Sequence, residues 1–380
     1  MLDEQLTSDL EPEAPRPPRI ALIASRQTLA EYPSYLKYLL VGLADESVSV
    51  ILICPPVGDV DSIIPPAVEV VRHPAIDIPL MQHYNLHLLL DRVGKFKPEV
   101  LHCLCETSAS LARWLARNLN VPYLLNINSI SSHWSAITFS ATRCANIIVP
   151  ARTIADHFIK THPKIADRLR QIDIGTFVDD STACFAHPEH LPGIVVSPPI
   201  DNHANLDNIF QALHRLTVDG CQFIVAIIAA GRPEGPLWKQ LRSLGLLHAV
   251  TIVPPSLGLY SAGSAADIFI VPRPSGRFNM LLLAAMSAGC AVAASKGGVD
   301  DLIIEDKTAF TFNPDDQLSV YNCLKRLFDR PDEARRLAAD AQQFLRQNRH
   351  VSGMIASTLS LHDALPIWGT MNMSAAEPAE

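Results

Sequence analysis

Three cations and a glycine pair stand close together in the second half of the chain: Arg273 and Arg277 in Arg273-Pro-Ser-Gly-Arg-Phe-Asn279, and Lys296 directly before Gly297-Gly298. Such a set suits an anion with several oxygens. A guanidinium fork binds two oxygens at once, an ammonium adds a point charge, and glycine lets backbone N–H groups come close to a ligand. The turn at residues 276–280 leads into an apolar helical run, 281–288, whose N-terminal N–H groups would face the same anion. Arg277 is the first choice for a phosphate contact. The plainer reading, that all three are solvated loop cations, stays open on these residues alone.

Elsewhere the chemistry thins out. His102-Cys103-Leu-Cys105 has the residue types of a metal site, but no second cluster completes four ligands, and strand packing accounts for it better. His102 and His133, the latter beside Trp134, are single histidines of the kind that pack or sit in loops. Arg232, in Gly231-Arg-Pro-Glu-Gly235, reads as a surface residue. No nucleophile or acid–base pair emerges, and neither a metal nor a cofactor is expected.

The elements that would hold the cationic region are short strands alternating with helices. Apolar runs at 20–25, 48–54, 68–71, 100–105, 123–128 and 147–149 are separated by stretches of helical spacing such as 35–43, 86–93 and 109–119. A second set of runs follows at 193–197, 223–229, 250–253, 268–271 and 291–294. Strand–helix alternation predicts parallel sheets wrapped on both faces, so the expected class is α/β with two Rossmann-like domains facing a cleft. The expected division is a disordered lead-in at 1–18, a first domain at 19–185, a second at 190–345 and a C-terminal helix at 346–357, with the proline-containing stretch 177–192 as hinge. Arg273, Arg277 and Lys296 then fall on loops at the C-terminal edge of the second sheet, where such sheets bind ligands.

Composition narrows the function classes. Hydrophobic residues make up 48% of the 380 and mean hydropathy is +0.16, which is ample for two cores. A formal net charge of −8 with only 18% charged residues gives no general attraction to nucleic acid or an anionic bilayer. The eight cysteines mostly lie in apolar runs without paired spacing, as reduced core thiols do, and no apolar run reaches the ~20 residues of a membrane span. Residues 1–18 are acidic and proline-rich rather than leader-like. A soluble, cytoplasmic protein without an integral membrane segment is expected. Residues 358–367, Thr-Leu-Ser-Leu-His-Asp-Ala-Leu-Pro-Ile, match codon for codon one reading frame of a common short-read sequencing adapter. That predicts a natural sequence stopping near Ser357, with 358–380 an assembly artefact or else a disordered tail; an uninterrupted genomic reading through these codons would refute the artefact.

The stretch from Ile270 to Gly298 resembles the donor-binding segment of glycosyltransferase family 4, the glycosyl transferases group 1. There a strand ending in Pro-Ser leads to Glu-Gly-Phe-Gly, a helix with Leu-Glu-Ala-Met-Ala-x-Gly, a second strand and a Gly-Gly turn. Pro274, Ser275, Phe278, Ala285, Met286, Gly289, Gly297 and Gly298 fall in register. Ala265-Ala-Asp-Ile-Phe-Ile-Val-Pro272 is similar to the family's Ala-Asp-Val-Phe-Val-Leu-Pro, and Cys144-Ala-Asn-Ile-Ile-Val-Pro-Ala151 to its Ala-Asp-x-Ile-Ile-Val-Pro-Ser. The similarity covers roughly 19–357, weakly in the first domain and clearly in the second.

The resemblance implies the GT-B fold and retaining transfer of a hexose from a nucleotide-diphosphate sugar to a carbohydrate or glycolipid acceptor. It implies donor contacts at Ser275, Gly276, Phe278, Asn279, Gly297 and Gly298, and an acceptor side at Asn128, where the family has His, with His133 as the substitute. Two family glutamates are replaced by Gly276 and Ala284, and the Arg and Lys that grip the diphosphate by Pro199 and Ala204. A charged hydrogen bond is worth about 1.5–3 kcal/mol, so this loss is large unless Arg273, Arg277 and Lys296 replace it. Three readings stay open: a divergent glycosyltransferase, a non-catalytic relative that binds another ligand or supports a partner enzyme, and a metabolite-binding two-domain module.

Overall fold

The computed structural model describes residues 18–56, 63–73, 82–130, 140, 142–186, 189, 191–197, 206–228, 235–253 and 266–365. Seven strands build the first sheet: β1 (Arg19–Ile23), β2 (Ser49–Cys54), β3 (Glu69–Arg72), β4 (Val100–Cys103), β5 (Tyr123–Asn126), β6 (Cys144–Val149) and β7 (Leu169–Gln171). All pair in parallel, in the order β3-β2-β1-β4-β5-β6-β7. Around them lie α1 (Arg26–Glu31), α2 (Pro33–Asp45), α3 (Gln82–Phe96), α4 (Ala109–Leu119) and α5 (Arg152–Thr161). β1, β2, β4 and β5 are buried almost throughout, because a parallel strand covered by helices on both faces has no wet side. α4 shows the complementary pattern: Leu111, Ala112, Leu115 and Ala116 form one buried stripe, and Asn120 ends the helix in the left-handed region at φ 56°.

The second sheet repeats the topology. Its strands are β8 (Gly193–Val196), β9 (Ile224–Ile228), β10 (Val250–Val253), β11 (Ile268–Val271), β12 (Ala291–Ser295) and β13 (Phe310–Phe312), in the parallel order β10-β9-β8-β11-β12-β13. With it come α6 (Asp207–Val218), α7 (Gly235–Ser243), α8 (Met280–Ser287) and α9 (Gln317–Asp329). Strand alternation sends Ile194, Val196, Ile268, Ile270, Ala291 and Ala293 into one core and Val195, Phe269, Val271, Val292 and Ala294 into the other. The second of these cores runs on through Phe278 and Met280 into the core of the first domain, so the two domains share apolar contact.

α10 (Pro331–Asn348) packs on α8, the helical run is interrupted at Arg349 and His350, and α11 (Val351–Asp363) crosses back onto α2. Gly42 makes the crossing possible, since a Cβ there would meet Ile355 of α11 at 2.5 Å. The expected helix at 346–357 thus divides between the end of α10 and α11, and α11 continues past Ser357 with Thr358 and His362 buried. The linker is pinned to the second domain: Gln342 Nε2 donates to the carbonyls of Asp179, Ser181 and Ser287, and buried Asp267 accepts from Phe185 N at 2.5 Å and Gly193 N at 2.7 Å.

Three expected strands of the first sheet end early, each for a local reason. β1 stops at Ile23 because Ser25 caps α1 in a reciprocal box with Thr28. β4 stops at Cys103 ahead of the 3₁₀ turn Glu106–Ser108, and β5 stops at Asn126 because residues 128–130 leave for the other domain.

Candidate functional site

β11 ends at Val271 beside β8, the point where the strand order of the second sheet reverses. Ligands of open α/β sheets bind in the crevice outside such a point. The loop that follows is held by the Gly-Gly turn: Ser275 and Gly298 form a parallel bridge, and Val299 N donates to Ser275 O at 2.7 Å. Only glycine fits at 298, where φ is +68° and a Cβ would overlap the Ser275 carbonyl. Ser275 Oγ accepts from Arg277 N at 3.1 Å, and Gly297 N donates to Asp300 Oδ2 at 2.9 Å. Asn279 caps α8 by accepting from Leu282 N at 3.0 Å, so the helix opens one residue earlier than its pattern suggested. Seven of the eight α8 residues are buried and Ala284 is the exception, so the one partly open position of this helix offers no side-chain acceptor.

The first domain closes directly on this loop. Ser129 and Arg277 form an antiparallel bridge; Ile130 N donates to Gly276 O at 2.7 Å and Phe278 N to Asn128 O at 3.0 Å. Tyr32 OH donates to Phe278 O at 3.2 Å, and burial first, then the carboxylates of Glu31 and Glu106, holds that phenol well above its ordinary pKa. Glu106 braces the pairing segment from behind, accepting from Asn128 N at 3.1 Å and Ser129 Oγ at 2.5 Å. Asn128 is 2% exposed and its side chain donates to Leu104 O at 3.0 Å. A Cβ on Gly276 would lie 3.4 Å from Ile130, so Ile130 stands where a longer side chain at 276 would emerge.

The three candidate cations are each paired with a carboxylate. Arg273 meets Asp315 at 2.5 Å and Lys296 meets Glu305 at 3.5 Å, both within the second domain, whereas Arg277 reaches across to Glu31 of α1 at 3.1 Å. A second interdomain joint lies deeper. Arg349 donates to Pro150 O at 3.0 Å, pairs with Asp173 at 3.1 Å and sits 5.4 Å from the Phe278 ring centroid. Beside it Asp301 of the second domain accepts from Thr153 N at 3.1 Å, supplying α5 with the N-terminal cap that Ala151 lacks. Burial lowers the Arg349 pKa against the pull of Asp173 and Asp301.

The fold therefore brings Arg277, Ser275, Gly276, Phe278, Asn279, Gly297, Gly298 and Asn128 to one interdomain seam, with Arg273 and Lys296 at its edge. His133, Trp134, Pro199, Ala204 and Arg232 lie outside the described residues. His102 is buried in a polar chain, Nε2 to Asn126 Oδ1 at 2.8 Å and Nδ1 to His362 Nε2 at 3.3 Å, and burial pushes its pKa down to about 4. Cys103 Sγ donates to Cys105 O, and no metal-ligand cluster exists among the described residues. Glu31, Glu106, Asp301 and Arg349 were missed from sequence. Glu31, Asp301 and Arg349 act across the domain interface, and Glu106 braces a segment 22 residues further on in its own domain, so no local pattern marks any of them. A pocket of about 540 Å3 near Phe177, Arg346 and His350 shares no residue with the seam. No helix among the described residues is long and apolar enough to cross a membrane.

Residues 193–330 match the family described as Glycosyl transferases group 1. Sulfoquinovosyl transferase SQD2 of Arabidopsis thaliana is 24% identical over 266 residues, 63% of this chain and 51% of that protein, so the match spans about half of the relative. A glycosyltransferase from Rickettsia africae superposes with a TM-score of 0.74 at 14% identity, covering 93% of this chain and all of the other. Anabaena Alr3699/HepE in complex with UDP-glucose gives 0.72 at 14% identity, over 91% of this chain and all of the other. Residues 193–330 are thus similar to the glycosyl transferases group 1 family, and the chain has the two-domain GT-B fold of these solved glycosyltransferases.

Proposed function

We propose that this chain takes a nucleoside-diphosphate sugar in the crevice between its domains and acts as a divergent retaining hexosyltransferase toward a carbohydrate or glycolipid acceptor. One observation carries the reading: the 274–279 loop, the Gly-Gly turn that locks it and the N-terminus of α8 are assembled at the switch point of the second sheet. These parts would act through backbone N–H groups of the loop and helix start other than those of Arg277, Phe278, Gly297, Val299 and Leu282, which are paired within the protein, and they do not need the missing glutamates. The solved neighbour bound to UDP-glucose supports a nucleotide-sugar ligand for this crevice. All eight cysteines are free, in keeping with a cytoplasmic setting.

A second reading, a non-catalytic relative, is favoured by the charge inventory. Gly276 and Ala284 offer no acceptor, and Arg273, Arg277 and Lys296 already have carboxylate partners. Calorimetric titration of the full chain with uridine and guanosine diphosphates and their sugars, followed by a search for released nucleoside diphosphate with candidate acceptors, separates the two. Binding with turnover supports transfer. Binding without turnover supports the non-catalytic relative, and silence from folded protein rejects a nucleotide-sugar ligand.

A further inference from the structure

Arg277 differs from the other two cations of the seam. Arg273 and Lys296 are neutralised from within their own domain, while the partner of Arg277 comes from the facing one. Both contacts to Glu31, at 3.1 and 3.3 Å, run through Nη1, rather than the two-nitrogen fork that makes arginine–carboxylate pairs strong. The side chains are 53% and 45% exposed, and pairs this wet hold weakly.

Glu31 is also placed to let go. It is the last residue of the six-residue α1, directly before Tyr32 at the N-cap of α2, so its side chain lies at a helix junction on the surface rather than inside a helix packing face. Gln27 Nε2 donates to Glu31 Oε2 at 2.9 Å, which leaves the carboxylate a partner when the guanidinium moves. The backbone of Arg277 is fixed by its bridge to Ser129, three residues before α8 opens at Met280. Its side chain is therefore free to exchange anions while its Cα stays beside the helix N-terminus.

We infer that Glu31 sets the affinity of the crevice for its ligand: it holds Arg277 as an internal anion when the crevice is empty and is displaced by the diphosphate of the nucleotide. This rests on the proposed function, because it presupposes a nucleoside diphosphate at the seam. It assigns a binding role to an acidic residue that would otherwise count as a surface charge.

The test is a double-mutant cycle on the full chain, titrated calorimetrically with uridine and guanosine diphosphates, with thermal unfolding of each variant as the control for folding. Glu31→Gln should tighten binding about two- to fivefold, the reach of an exposed pair. Arg277→Gln should weaken it, and in the Arg277→Gln background Glu31→Gln should have no effect. Wild-type binding that Glu31→Gln leaves unchanged, or a gain that persists without Arg277, overturns the inference and spares the proposed function. Absence of binding in both wild type and Glu31→Gln, with both folded, overturns the two together.

Discussion

The two joints between the domains are built on the same elements, an arginine that meets a carboxylate through Nη1 at 3.1 Å, yet they differ in how far water reaches them. At the crevice, Arg277 and Glu31 are about half exposed and joined through one nitrogen. At the root, Arg349 is 4% exposed, donates to a backbone carbonyl of the opposite domain and lies beside an aspartate, Asp301, whose Oδ2 finds no partner among the described residues. Water screens the first pair and leaves it exchangeable. Burial makes the second costly to disturb, because removing the guanidinium leaves the buried Asp301 Oδ2 without a nearby cation and the Pro150 carbonyl without its donor. The root joint fixes where the domains sit, and the crevice joint is the part that a ligand can rearrange.

The largest expected effect follows from that contrast. Arg349→Ala should destabilise the protein by about 3–5 kcal/mol in urea unfolding, since Asp173 and the Asp301 region lose their buried cation. A change below about 1 kcal/mol would show that the root is as soft as the crevice and would break the comparison.

A pH titration sharpens it. Burial holds His102 near a pKa of about 4, with the Asn126 hydrogen bond opposing, and His362 near about 3. In the unfolded chain these rings take up a proton near pH 6.5, which the folded protein refuses. Stability is therefore fully present above about pH 6.5 and falls as pH drops toward 4, by at most about 3 kcal/mol for His102. Equilibrium unfolding across this window should show the slope, and His102→Gln should flatten it. An equal slope in the variant would assign the acid sensitivity to other groups.

Much of the fold was legible because it is written in short-range pattern. Continuous apolar runs marked β1, β2, β4, β5, β8 and β11, and their alternation with helices fixed the doubly wound class. The three-residue strands β7 and β13 were invisible, being too short for any periodicity to register. The glycine frame of the site was legible for the same local reason, since Gly297-Gly298 announces a turn whatever surrounds it. The site's charge pairing was not. Glu31 and Arg277 are 246 residues apart in sequence, and nothing near either one indicates that they meet. Asp301 as a cap for α5 was equally hidden, because Ala151 at that helix start shows only that a cap is lacking.

Gly298→Ala tests the frame itself. A methyl group at φ +68° that also overlaps the Ser275 carbonyl should cost about 1–3 kcal/mol and loosen the 274–279 loop. Hydrogen exchange should quicken at the Val299 amide, which donates to Ser275, before it quickens in β11. Uniform exchange would mean that the turn is not what holds the loop.

The smallest structural effect is expected at Arg277. Its side chain contributes an exposed ion pair, while the interdomain bridge is made by backbone atoms: Ile130 N to Gly276 O and Phe278 N to Asn128 O. Arg277→Ala keeps all of those atoms, so unfolding free energy should move by less than about 1 kcal/mol. Exchange at the Ile130 and Phe278 amides should stay slow for the same reason. A fall of several kcal/mol, or opening of the bridge, would mean that the crevice joint carries the domain arrangement and that the division of labour between the two arginines is the reverse of the one their burial implies.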